Sequence, residues 1–170
     1  MTQTIYYSKA DCLQKLEAAG EALRAYLAGL DEARMTGPQD AAGWTLKDHL
    51  VHLSVWEESI VRLFQGVPRY QTLGVTEALY EAEKLDEINA QIYRNWLSAM
   101  LAEVLKRLFR VHAEMLAQAQ SLSDGDLNQT MEACFPQFSL GDERRLAYVI
   151  LGNSEFHFLE HLAWMRAISG

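Results

Sequence analysis

The run LAYVILGNSEFHFLEHLAWMRAI, residues 146–168, decides the fold. At 100° per residue, Leu146, Val149, Ile150, Trp164 and Ile168 gather on one side, the pattern of a helix that buries a stripe. Asn153, His157, Glu160 and His161 fall in the same sector. The spacing predicts one helix over about 142–168 whose buried stripe is interrupted by a polar layer about two turns long. Burying an unpaired polar group costs on the order of 1–3 kcal/mol. Four in one layer need a common reason.

His157 and His161 stand at i and i+4, so they project from one face, about 6 Å apart along the axis. Two imidazoles so placed can bind one divalent metal at about 2.0–2.1 Å. The spacing alone is weak evidence; its place on the core stripe beside Asn153 and Glu160 strengthens it. A metal in a bundle core also draws ligands from a facing helix. His49, His52 and His112 remain. His49 lies nearer the centre of its apolar stripe, His52 sits on the flank beside Trp56, and His112 is centred on its own stripe. The residues alone leave the third ligand open among the three. HFLEH, residues 157–161, also matches the HxxEH pattern of inverted zinc peptidases. Those enzymes need an acidic ligand well downstream, and only nine residues follow His161.

The rest of the chain agrees with an all-α protein. Of 170 residues 49% are apolar, and three prolines and ten glycines leave room for long helices. One domain spanning residues 1–170 is expected. Ser8 is a natural N-cap for a helix near 10–30, and Thr45 with Asp48 caps a second near 45–65. Residues 36–43, TGPQDAAG, read as a loop. Residues 76–96 are helical, and a further helix runs from about Leu101 to Ser121. Residues 121–143 read as a loop with one turn or a short extended pair around CFPQF. Cys12 and Cys134 lack CxxC spacing and read as small buried or half-buried side chains.

A net charge of −8 and a pI of about 5.1 argue against nucleic acid or an anionic membrane as partner. No apolar run reaches the roughly 18 residues a membrane span needs. The opening MTQTIYYSKADCLQKL lacks the order of a secretory signal, so a cytoplasmic protein is expected.

GWTLKDHLVHLSVWEE, residues 43–58, resembles the second-helix signature of the DinB-like superfamily. LDEINAQIY (85–93), NSEFHF (153–158) and the opening SKADCLQKL are similar to the ClbS/DfsB branch of that superfamily. The resemblance covers nearly the whole chain. It implies a four-helix bundle with a long crossover and a short additional helix, often dimeric. It also implies a divalent metal site of three histidines, here His52, His157 and His161, so it selects His52 over His49. CFPQFSLGD, where the branch often has a Trp-Gly loop, and an ending without the usual basic tail leave the substrate open.

The expected function is a metal-binding protein that acts on or sequesters a small electrophile, as a thiol transferase or hydrolase in detoxification or self-protection. The metal is zinc, nickel, iron or manganese, and the assembly is a homodimer. Glu160 is the candidate proton acceptor. Asn153, Trp56, Tyr93 and His112 are the candidate supporting or pocket residues. The alternatives are a non-catalytic binding bundle and a structural homodimer with vestigial histidines.

Overall fold

A computed structural model describes residues 6–169. The first five residues, part of the opening read for a signal, and Gly170 lie outside them. The described residues form eleven helical segments and no strand. The long ones are α1 (Lys9–Leu27), α3 (Leu46–Leu63), α6 (Leu85–Trp96), α7 (Leu101–Ser121), α10 (Leu146–Asn153) and α11 (Glu155–Ser169). Short turns of helix connect them: α2 (Glu32–Thr36), α4 (Arg69–Leu73), α5 (Glu77–Glu81), α8 (Asp124–Leu127) and α9 (Met131–Cys134). The architecture is the expected all-α bundle. α1, α3, α7 and the α10–α11 unit pack on one another, and α6 lies in the crossover against α3.

Two of the sequence caps form. Ser8 Oγ accepts from Asp11 N–H at 3.1 Å. Thr45 and Asp48 make a reciprocal capping box that starts α3. The stretch 76–96 is two helices, because Glu83 takes a left-handed φ of 53° between α5 and α6. A residue there cannot continue a right-handed helix.

The last helix departs from expectation in two ways. It begins at Leu146 instead of 142, since the preceding segment pairs with the chain after α8. Met131 N–H donates to Arg144 O and Leu146 N–H to Gln129 O, both at 2.9 Å, and Thr130 bridges Arg145. The extended pair is therefore here and not at CFPQF. The helix also breaks at Ser154, whose backbone turns to φ −127° and ψ −88°. Ser154 is fully buried at the break, and its N–H turns back to Leu151 O at 3.3 Å.

The break marks a polar level across the bundle. On one side lie Leu23, Leu50, Leu108 and Phe158, on the other Leu16, Ile60, Met115 and Ile150. The same helices supply both apolar clusters, and burying each large side chain contributes about 1.5–3 kcal/mol. Between the clusters sit Glu57, His112 and Ser154, all buried. His112 Nε2 is 3.2 Å from Leu16 O, and a carbonyl can only accept, so Nε2 carries a proton. Nδ1 meets Glu57 Oε1 at 2.9 Å, and one proton is shared there. Gly20 of α1 lies under this ring: a Cβ would stand 2.3 Å from His112 Nε2.

Candidate metal centre

α3 and α11 bring His52, His157 and His161 together. One ring nitrogen from each lies within 4.8 Å of the others. The His52 and His157 rings are 4.8 Å apart, with their Nε2 atoms facing at 2.9 Å. The i, i+4 pair has ring centroids 4.7 Å apart. His52 is 5% exposed and His161 3%, so the flank of the α3 stripe faces a cleft and not bulk water.

All three imidazoles are held neutral. Burial pushes His52 well below its ordinary value, and the neighbouring His157, His161 and His49 push it the same way. Burial lowers His157 to about 4, with the Arg69 charge adding to the effect. His161 falls to about 2, again first from burial and then from His157 and His49. Neutral imidazole is the ligating form. Nδ1 of His52 and of His157 are buried with no hydrogen-bond partner among the described residues.

His161 is braced instead. Its Nδ1 meets His49 Nδ1 at 2.9 Å, and His49 Nε2 meets Asp40 Oδ2 at 3.1 Å. Burial lowers His49, which is therefore neutral. With its Nε2 proton donated to the Asp40 carboxylate, its Nδ1 must accept, so His161 donates from Nδ1 and keeps Nε2 bare. Such outer partners set the tautomer of ligating histidines. Asp40 also accepts from Ala42 N–H and Trp44 N–H, which fixes its loop. Sequence reasoning offers no signal for Asp40, and the resemblance passes over His49 in favour of His52. His49's central place on the stripe was the one available signal.

The cluster lies in a cavity of about 340 Å³, with Trp44, Asn89, Glu160 and Trp164 on its walls. Trp164 is 47% exposed, so it is a wall and not the core residue its periodicity suggests. Glu160 is at the mouth, exposed, and its carboxylate bonds none of the histidines. Tyr93 stacks behind Trp44 at 5.8 Å and 7°, so it supports the wall. Trp56 is 6.2 Å from His52 and donates from Nε1 to Asn89 Oδ1 at 3.0 Å. Asn153 leaves the layer: its Oδ1 accepts from Arg69 at 2.7 Å in a neighbouring cavity. His112 belongs to the Glu57 pair and does not line the histidine cavity.

A four-helix scaffold with three convergent neutral histidines in a cleft defines a class: helical-bundle proteins with a cluster of candidate ligands between facing helices. The DinB superfamily model matches residues 15–162, and the chain belongs to the DinB superfamily. The fold is shared with the colibactin self-resistance protein ClbS in complex with a dsDNA, at TM-score 0.75 and 13% identity over 98% of this chain and 97% of that one. It is shared with the sibling lethal factor precursor DfsB, at TM-score 0.71 and 19% identity over 96% and 95%. An uncharacterised protein from Escherichia coli UTI89 matches at TM-score 0.75 and 14% identity over 95% and 92%. No curated protein matches in sequence.

The ClbS complex corrects one expectation. Excluding nucleic acid on net charge fails, since a protein of this fold is crystallised with a DNA duplex. Net charge sums over the whole surface, whereas phosphates respond to the local field. For the membrane, no described helix is long and apolar enough to cross one.

Proposed function

We propose that His52, His157 and His161 hold one divalent metal ion, and that the cavity beside them receives a small reactive molecule in a detoxifying or self-protective role. The observation that carries this reading is the convergence of three neutral imidazoles within 4.8 Å. The donor set fits zinc, nickel, iron or manganese, and three ligands leave a position open. A bound ion would supply Lewis acidity and lower the pKa of a water or thiol towards neutrality. The chain's own residues do the rest. Asp40 and His49 keep Nε2 of His161 free of a proton. Trp44 and Trp164 offer apolar walls to a ligand, and the Trp56 hydrogen bond holds Asn89 in place. Glu160 at the mouth is the candidate proton acceptor. The self-resistance role in the name of ClbS supports a protective role, and duplex DNA joins the ligands to be tested.

Metal analysis of protein purified without a histidine tag tests the reading. About one ion per chain is expected, and His157→Ala should lose it while keeping its helical circular dichroism. No metal on isolation, and no uptake of zinc, nickel, iron or manganese, would overturn it.

A further inference from the structure

A second cavity of about 620 Å³ lies beside the histidine cavity and is the larger of the two. Trp56 and Asn153 line it. The Trp56–Asn89 hydrogen bond joins its wall to that of the histidine cavity. Arg69, at the start of α4, also lines it and is only 9% exposed. Nε donates to Ser59 Oγ at 3.0 Å, Nη2 donates to Asn153 Oδ1 at 2.7 Å, and the Trp56 ring lies 5.3 Å from the guanidinium carbon. All of these partners are neutral. No carboxylate of the described residues comes within 4.0 Å of it.

A buried guanidinium without a counter-charge is costly. The wall carboxylate that acts on Arg69 at a distance, Asp142, makes its direct pair with Arg144 instead, at 2.6 Å, and accepts from the Arg144 backbone N–H. Glu83 and Glu143 also line the cavity but are exposed. Half-buried Arg107 differs, because it pairs with Glu58. Burial acts against the Arg69 charge, and that charge is felt at His157. Asn153 and Ser59 hold the guanidinium plane in a fixed pose, which suits planar, bidentate recognition of an oxyanion.

We propose that the larger cavity is an anion-binding compartment in which Arg69 takes the carboxylate, phosphate or sulfonate of a small molecule whose body lies against Trp56. The depth of Arg69 favours a small ligand over the backbone of a duplex. Where the histidine cavity handles a reactive group, this ligand's anionic end is its handle. That connection rests on the proposed function, but the anion site does not.

Metal-free protein in chelator is titrated with inorganic phosphate at constant pH and ionic strength, with chloride as the balance. Tryptophan fluorescence and melting temperature are followed. A saturable response to phosphate is expected, and Arg69→Gln should weaken it about tenfold or more. Asp142→Asn changes a surface loop, removes a negative charge from the wall, and should tighten phosphate binding severalfold. An unsaturable response, or unchanged affinity in Arg69→Gln, overturns the proposal. If Arg69→Gln loses its helical spectrum, Asp142→Asn decides: tighter binding supports the site, and unchanged or weaker binding overturns it. A short DNA duplex that displaces phosphate overturns the small-molecule assignment. Metal uptake is measured separately on the same variants, so failure of the anion site and failure of the metal site read out independently.

Discussion

His112 and His161 both turn their rings into the bundle, at 7% and 3% exposure, and are satisfied in opposite ways. His112 has a carbonyl on one nitrogen and a carboxyl on the other, so the protein completes it. His161 meets another imidazole on Nδ1, and its Nε2 is left for the cluster, where His52 and His157 face nitrogen to nitrogen. Burial alone therefore does not make a histidine a site. A core histidine has its counter-groups built in; the candidate ligand His161 is oriented by a neighbour and left incomplete.

Acid should break this contrast most strongly. His157 and His161 have folded values of about 4 and about 2, below the ordinary 6.5. Below 6.5 the unfolded chain binds more protons than the folded one, so their stability contribution is present above that pH and is lost as pH falls towards the folded values. Each contributes about 1.4 kcal/mol per pH unit across its window. The unfolding free energy of the metal-free protein, from denaturant titration, should fall by several kcal/mol between about pH 7 and pH 4, and less steeply in His157→Ala. Glu57 runs the other way. Burial raises it above the ordinary 4.5, so its contribution is present below that value and is lost as pH rises through the folded one.

Glu57→Ala should cost about 3–5 kcal/mol, because it opens a cavity and strands His112. Metal uptake should survive, since Glu57 touches none of the three candidate ligands. Loss of metal without loss of stability would erase the distinction between the two regions.

Gly20→Ala sharpens the comparison from the far side of His112. Alanine normally improves a helix interior by about 1 kcal/mol. Here its Cβ meets Nε2 at 2.3 Å, so the change should destabilise by about 1–3 kcal/mol. The cost should largely vanish in a Gly20→Ala, His112→Ala background, which a thermal double-mutant cycle measures.

The last variant is at His49. His49→Ala should destabilise the metal-free protein by about 1–3 kcal/mol, because it empties a buried position and strands Asp40 and His161, and should weaken metal affinity about tenfold by freeing the His161 tautomer. Full affinity in isothermal titration would show that the Asp40–His49 chain is only structural.

The helices, the Ser8 and Thr45 caps and the His157/His161 pair were legible in the chain, because i, i+3 and i+4 relations follow from backbone geometry alone. The choice of His52 needed the family pattern. Its stripe position argued for His49, and only packing shows that the α3 flank lines the cleft, with His49 behind His161. The Ser154 break was hidden by a helical pattern that reads straight through it. Asn153 consequently went to Arg69, and Glu160 to the rim. Asp40, Arg69 and the Glu57–His112 pair carried no signal, since their partners lie 9 to 84 residues away along the chain. Local periodicity determines which residues share a helix face. Which faces meet, and which nitrogen is left without a partner, is decided only when the helices pack.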